Sequence, residues 1–344
     1  MKFGLFFFAN GQDAPEQYRL LLEAARFADA EGFSAVWTPE RHFHDFGAPF
    51  PNPSVTSAAV AAVTSRVGVR AGSVVLPLHD PLRVAEEWAV VDQISGGRSA
   101  LALASGWNPQ DFVLAPGNFE KNKELVRDGV HALRALWAGG AATRRGPDGE
   151  ERSVRTYPRP HQDGIPLWIT AAGSARTFAV AGELGCGVLT HLLGQSWDQL
   201  ENNLGDYGEA LEEAGHGIEK ERVAIMLHTF VTDDAGAALE TARAPMTAYM
   251  RSSMNLFGLT APRPAGAGEP SEAAMRELLD HAYEEYARTR CLIGSVDDCL
   301  PLVESLAELG IDEIACLIDF GLGTDEVLTA LRHLAALKRR CAEL

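Results

Sequence analysis

Glu40, Arg41 and His42 stand together in the stretch Trp37-Thr38-Pro39-Glu40-Arg41-His42-Phe43, which follows a short apolar run, Ser34-Ala35-Val36. An acid, a guanidinium and an imidazole at the end of a buried strand could control a proton beside a fixed positive charge. The same three residues could also form a salt-bridged loop that caps the strand, since structural ion pairs gather at such ends. Unusual residues recur at the ends of other apolar runs. Ala171, Ala172, Gly173, Ser174 and Arg176 sit where the run 166–170 gives way to a helical pattern. Small residues let a ligand reach the backbone there, and first-turn amides with the helix dipole favour a phosphate. Ser174 can add a hydroxyl and Arg176 a charge-assisted bond, although an ordinary serine N-cap would use the same residues. Gly72 and Ser73 interrupt the apolar run 70–77, which marks a bulge or a close ligand approach. Ala104, Ser105 and Trp107 end another run, and small residues beside an indole suit a flat aromatic ligand. Trp107 could equally be a rim residue packed on its own loop.

Several other chemistries lack their residues. No G-x-G-x-x-G follows a strand: Gly321-Leu322-Gly323 and Gly266-Ala267-Gly268 both lack the third glycine. A self-contained dinucleotide site is therefore not expected. No Walker A lysine motif and no H-E-x-x-H occur. His42, His44 and Asp45 do not have convincing ligand spacing, so no metal site is expected. Ala172-Gly173-Ser174-Ala175 lacks the second glycine of a nucleophile elbow.

Composition narrows the classes further. The 344 residues are 46% hydrophobic and 22% charged, which suits a well-buried chain. The net charge of -17 and a pI near 5.0 disfavour nucleic acid and anionic membrane surfaces as partners. No apolar run approaches membrane-spanning length, and the segment 1–8 is too short for a signal-peptide core. Five cysteines, an odd number without C-x-x-C, read as reduced thiols in a cytoplasmic protein.

These candidates need elements to hold them. Short apolar runs at 2–8, 34–37, 67–76, 99–104, 166–170, 187–190, 223–231 and 313–318 predict strands. Helical patterns alternate with them at 16–31, 53–64, 82–94, 121–137, 175–184, up to about 214, and 324–337. Regular alternation predicts parallel strands with right-handed crossovers, and eight such units predict a closed (β/α)8 TIM barrel, one domain spanning 1–344. Residues 139–162 show no periodicity and read as a surface excursion. Residues 233–290 form a long insertion between strands seven and eight; its centre, 260–270, is rich in Pro, Gly and Ala. A lid over the barrel mouth and a solvent loop are both consistent with it; a helix is expected to resume at 275–288.

The strand-end motifs resemble the bacterial luciferase-like monooxygenases, over essentially the whole chain. The residues that carry the resemblance are Glu40 through Gly47, Gly72-Ser73-Val74-Val75-Leu76-Pro77, His79-Asp80-Pro81, and 92–98. Pro51-Asn52-Pro53, Glu86-Glu87-Trp88, Ala104 through Trp107, 190–195 and 226–230 more closely resemble the subgroup of polyketide and nonribosomal-peptide pathways. The resemblance implies reduced FMN as co-substrate at the barrel mouth, delivered by a separate flavin reductase. It implies oxygenation of a small-molecule or carrier-protein-tethered intermediate, and a homodimer is expected. Residue by residue, it implies a cis peptide at Gly72-Ser73 under the flavin ring. It places the phosphate near Ala171, Ala172, Gly173, Ser174 and Arg176, with Ser105 and Lys123 near the phosphate and Thr190 and His191 near the ring. Arg41 stands where the luciferase branch has a catalytic histidine, and Ala104 where it has a reactive cysteine; both departures speak against light emission from an aldehyde. His42, with Glu40 and Arg41, is the candidate for proton control, and His44 and His191 are secondary candidates. A deazaflavin-dependent oxidoreductase of the same barrel and a non-catalytic flavin-binding protein remain alternatives.

Overall fold

A computed structural model describes residues 1–8, 14–43, 49–217, 222–252, 254 and 271–342. In chain order its elements are β1 (Lys2–Phe6), α1 (Ala14–Glu31), β2 (Ala35–Thr38), α2 (Pro53–Val63), β3 (Gly68–Val75), α3 (Pro81–Ser95) and β4 (Ser99–Ala104). They continue with α4 (Asn122–Trp137), β5 (Ala142–Arg145), β6 (Glu151–Val154), β7 (Leu167–Thr170), α5 (Ala175–Glu183), β8 (Gly187–His191) and α6 (Trp197–Glu213). The chain closes with β9 (Val223–Thr232), α7 (Ala235–Ser252), α8 (Glu272–Thr289), β10 (Leu292–Ser295), α9 (Val296–Glu308), β11 (Glu313–Leu317) and α10 (Thr324–Arg340). Short 3-10 turns lie at Leu76–Leu78, Asp111–Leu114 and Pro116–Lys121.

Strands β1, β2, β3, β4, β7, β8, β9 and β11 pair in parallel in that cyclic order, and the β8–β9 and β11–β1 pairings close the barrel. Each of the eight expected strands is present, and the strand ends that carry the candidate residues gather at one mouth. Helix starts are set by local chemistry. Asn52 accepts from the amides of Ser54 and Val55 ahead of Pro53, and Asp80 accepts from Leu82 ahead of Pro81; a capping acceptor followed by proline at the first helical position starts a helix efficiently. Gly96 ends α3 in the left-handed conformation, φ +67°.

Inside the barrel, Trp37 donates from Nε1 to Glu313 at 2.9 Å, and Arg70 donates to the other carboxylate oxygen at 2.8 Å. The Arg70 guanidinium lies 4.8 Å from the Trp37 ring and 4.9 Å from the Trp168 ring. The carboxylate is thus satisfied twice and the cation sits between two indoles. Gly4 is required beside this layer, because a Cβ there would come within 2.7 Å of Glu313 Oε1.

Three features depart from the expected pattern. The excursion at 139–162 contains the antiparallel hairpin β5–β6, whose residues are almost all exposed, so no alternation of apolar and polar residues marked it. The extra strand β10 pairs with the far half of β9, Leu292 opposite Thr229, while β11 occupies the near half. Within 233–290, α8 covers the helix expected at 275–288 but α7 was not expected; the two pack on each other, and α7 also packs on β9 and β10. They bury Ala238, Ala242, Met246 and Tyr249 from α7, and Leu279, Tyr283 and Tyr286 from α8. Residues 260–270, the proposed lid centre, and His44 lie outside the described residues.

Candidate active site

The loop after β2 brings Glu40 to the barrel mouth and buries its carboxylate completely. Oε2 accepts from the Val75 amide at 2.8 Å, which ties the β2 end to the β3 end. Oε1 faces two imidazoles, Nε2 of His42 at 2.8 Å and Nε2 of His79 at 2.6 Å. Burial alone would raise the Glu40 pKa, but the bonds from His42, His79 and Val75 outweigh it and hold the carboxyl below its ordinary value. His79 is moved the other way: burial opposes its charge, yet Glu40, helped by Glu87, raises it above the usual imidazole value. An ionised carboxylate can only accept hydrogen bonds, so both rings present Nε2–H to Glu40 and keep Nδ1 for other partners.

Asp111, from the 3-10 turn after β4, faces His42, Arg41 and Glu40; burial raises its pKa despite the nearby positive charge, and Asn108 donates to it at 2.8 Å. The Arg41 guanidinium lies 3.9 Å from the centre of the Phe8 ring. Burial lowers its pKa, but a guanidinium stays charged. Phe43 adopts φ +53°, and its carbonyl accepts from Gln110 at 3.1 Å. The loops after β2 and β4 are thereby pinned together around His42.

A second centre lies between the β4 and β7 ends and helices α4 and α5. It is a cavity of about 370 Å³ whose wall includes Ser105, Lys123, Arg127, Thr170, Arg176 and Thr177. Ser105, Lys123 and Arg176 were expected here; Arg127, one helical turn after Lys123, was not. Arg176 is paired with Glu183, and Arg127 reaches the other oxygen of the same carboxylate at 2.5 Å. These two arginines pull the Glu183 pKa down, Arg176 most strongly. The turn Ala171, Ala172, Gly173, Ser174 joins β7 to α5 beside the cavity. Gly173 has φ +109°, and its carbonyl accepts from Gln199 at 2.8 Å. Ser174 occupies the N-cap position of α5 but makes no side-chain cap bond.

Between the two centres, the Gly72–Ser73 peptide is cis, and the β3–β4 register shifts between Gly72 and Val74. A Cβ on Gly72 would come within 2.5 Å of the Phe6 ring. Ser73 and Thr170 share a hydroxyl–hydroxyl bond of 2.5 Å. Ala104 ends β4, and Trp107 beyond it is 63% exposed, as a rim residue would be. At the β8 end, Thr190 is fully buried, with Gln195 donating toward its hydroxyl. His191 accepts at Nδ1 from the Leu193 amide, and burial brings its pKa down to about 4. This ring is therefore neutral at physiological pH.

Besides Arg127, several groups escaped the sequence reading as site residues. His79 was visible only inside a motif whose Asp80-Pro81 is explained by the start of α3. Asp111 had no signal beyond its spacing from Asn108. His228, fully buried, lies 4.9 Å from Tyr249 and 5.4 Å from Phe320 between ring centres, and Tyr286 reaches its Nδ1 at 3.3 Å. Burial lowers its pKa to about 3, so it also stays neutral. Tyr249 and Tyr286 come from α7 and α8, a contact across the insertion that no local pattern encodes.

Residues 1–313 match the family model described as "Luciferase-like monooxygenase". The chain is 26% identical to the oxygenase component of a flavin-dependent trigonelline monooxygenase from Acinetobacter baylyi, covering 97% of this chain and 93% of the relative. It is likewise 26% identical to 4-hydroxyprotoasukamycin monooxygenase of Streptomyces nodosus subsp. asukaensis, with 83% and 76% covered. Among solved structures, the oxygenating constituent of 3,6-diketocamphane monooxygenase from Pseudomonas putida, in complex with FMN, superposes with a TM-score of 0.75 at 19% identity. That match covers 97% of this chain and 96% of the other. Among the described residues, no helix is long and apolar enough to cross a membrane, and no group of three or more His, Cys, Asp or Glu could hold a metal.

Proposed function

The chain belongs to the luciferase-like monooxygenase family, and we propose that it is the oxygenase component of a two-component system that uses reduced FMN to oxidise a natural-product intermediate. The observation that carries this reading is the pairing of two centres at one barrel mouth: a cavity walled by three cations and hydroxyls, and a buried carboxylate holding two imidazoles.

The residues fit the cofactor. Lys123, Arg127, Arg176, Ser105 and Thr177 supply donors for a phosphate in a cavity of about 370 Å³. Gly72 and Ser73 keep the strand floor free of bulk, and Thr190 with neutral His191 offers uncharged polar contacts for a ring edge. Bound there, reduced FMN would supply the electrons that activate molecular oxygen.

The chain's own contribution is positioning and proton control. Glu40 fixes the His42 ring through Nε2–H, so Nδ1 is the atom that can take or give a proton. Asp111 and Arg41 set the field around that ring. Phe43, Trp107 and the inner face of the α7–α8 pair would exclude water from the mouth. The two-component reading is supported by the relative from Acinetobacter baylyi, which is named as an oxygenase component, and the natural-product substrate by the relative from Streptomyces nodosus, named as 4-hydroxyprotoasukamycin monooxygenase. Whether the intermediate is free or tethered to a carrier protein is set by the pathway, and both forms are to be tried.

Chemically reduced FMN should bind, its reoxidation by oxygen should run at a rate distinct from that of free reduced FMN, and a co-purified ligand should have the mass of FMN. A deazaflavin of different mass, with reduced-FMN reoxidation unchanged by the protein, would assign the barrel to hydride transfer instead. Tight flavin binding with neither reaction would make the protein a flavin carrier.

A further inference from the structure

One oxygen of a buried carboxylate serves two imidazoles of unequal exposure. The His42 side chain is 12% exposed and that of His79 is 30% exposed, while Glu40 between them is sealed. We propose that Glu40 joins His42 and His79 into one titrating unit, in which His79 exchanges protons with solvent and sets the charge that His42 experiences.

The physical argument concerns a single negative charge. When both rings are neutral, each donates Nε2–H to Oε1 and the carboxylate is shared between them. When one ring becomes an imidazolium, the carboxylate charge compensates it. A second imidazolium would face a cation across the same oxygen, because each Nε2 lies within 2.8 Å of that atom. The unit therefore holds one extra proton readily and a second with difficulty, which is the behaviour of coupled sites. Val75 fixes the carboxylate through its other oxygen, so Glu40 cannot rotate to serve one ring alone.

The surroundings bias where the extra proton resides. Glu87 on α3 adds negative charge near His79, though Arg83 pairs with Glu87 at 2.7 Å. Asp80 lies next to His79 in sequence and is paired with Arg144 at 3.7 Å. On the inner side His42 has Asp111 as a charged neighbour, and the Arg41 guanidinium also acts on that carboxylate. The resting proton therefore belongs on His79, the ring backed by both Glu40 and Glu87. His79 is a positioning residue here; it reaches the reaction only through Glu40.

This inference rests on the reading of His42 as the proton-handling group, but the coupling can be measured without any reaction. The Cε1–H resonance of His79, assigned with isotope-labelled histidine, is titrated in the wild type, Glu40→Gln and His42→Asn. Glu40→Gln should lower the His79 midpoint by about one unit or more, since a charged partner at contact distance shifts a pKa by about 1–3 units. His42→Asn should raise it, because the carboxylate then serves one ring. If Glu40→Gln fails to fold, His42→Asn alone decides the question. A His79 midpoint unmoved by His42→Asn overturns the coupled unit. For the link to chemistry, the rate at which oxygen reoxidises protein-bound reduced FMN, corrected for that of free reduced FMN, is followed against pH in His79→Gln. A displaced pH profile supports the role of His79, and a profile that superimposes on the wild type overturns it. Coupled titrations with a reoxidation rate that no form of the protein changes from that of free reduced FMN uphold the unit and overturn the oxygenase reading instead.

Discussion

The Arg176–Glu183 pair gives the proposed phosphate site a measurable signature. A charge-assisted bond from a guanidinium to phosphate contributes about 1.5–3 kcal/mol. Arg176 must leave Glu183 to make it. That pair is solvent-open, with the two side chains 66% and 32% exposed, and an ion pair of this kind is worth about 0–1 kcal/mol. The difference leaves about 0.5–3 kcal/mol, so Arg176→Ala should weaken reduced-FMN binding by about 2- to 150-fold. Riboflavin has the same ring but no phosphate, and its affinity should change less than about twofold. Glu183→Gln provides the opposite perturbation. It releases both Arg176 and Arg127 toward the cavity, so FMN should bind tighter, by about two- to fivefold, while riboflavin is unaffected. The assay is anaerobic titration of each reduced flavin, followed by absorbance, at two ionic strengths. Equal losses for FMN and riboflavin in Arg176→Ala would refute the argument, because the residue would then act on the ring or on the fold. So would an FMN affinity that neither substitution moves.

Three further outcomes follow from the geometry. His42→Asn should keep the wild-type melting temperature and FMN affinity but lower product formation by about 100-fold, the low end for acid–base catalysis; normal turnover, or loss of fold, would make the ring structural. Glu40 has a lowered pKa and His79 a raised one. The Glu40 contribution to stability is present above the unfolded carboxyl value and lost as pH falls through the folded one. The His79 contribution is complete below the unfolded imidazole value and lost as pH rises through its raised folded value. Melting temperature against pH should therefore fall at both ends, and His79→Gln should flatten the alkaline side and weaken the acid-side dependence, since His79 helps to hold the Glu40 pKa down; an unchanged alkaline slope contradicts the pairing. Glu313→Gln removes the charge that Arg70 needs in the barrel interior, where the two side chains are 6% and 17% exposed. Leaving one partner of a buried pair costs about 3–5 kcal/mol, which urea unfolding would detect, and a loss below about 1 kcal/mol would show that the two indoles suffice for Arg70.

The barrel was legible because its signals are local and repeated. β4 and β7 are short apolar runs, and the helices between strands carry their own start signals, such as Asn52-Pro53 and Asp80-Pro81. The hairpin β5–β6 was not legible, since Thr143, Arg144 and Arg145 pack against nothing that would impose a pattern. Helix α7 was hidden for a different reason. It carries Pro245 in its interior, and it is held by buried contacts of Ala238, Ala242 and Tyr249 with parts of the chain that only the fold brings near. In the site the same division holds. Glu40, His42 and Arg176 stand at strand or helix ends where charge is conspicuous, while Ser105 and Lys123 were named near the phosphate through the family resemblance. His79 and Asp111 become part of the site only through three-dimensional contact, at 2.6 Å to Glu40 in the first case and through the field around His42 in the second.

The position of Arg41 ties the two levels together. By the family resemblance it stands where the luciferase branch has a histidine, and in sequence it lies between Glu40 and His42. In the structure the backbone separates the three side chains: Glu40 and His42 meet each other, while Arg41 turns to Phe8 on β1's extension. A guanidinium cannot act as a base near neutral pH, so on the proposed reading proton transfer at this strand end falls to His42. That imidazole is the one with a buried carboxylate behind it and, through the carboxylate, a second ring open to solvent. Arg41 supplies fixed positive charge, and the second imidazole on the Glu40 carboxylate comes from the segment after β3, held across the Val75–Glu40 bond.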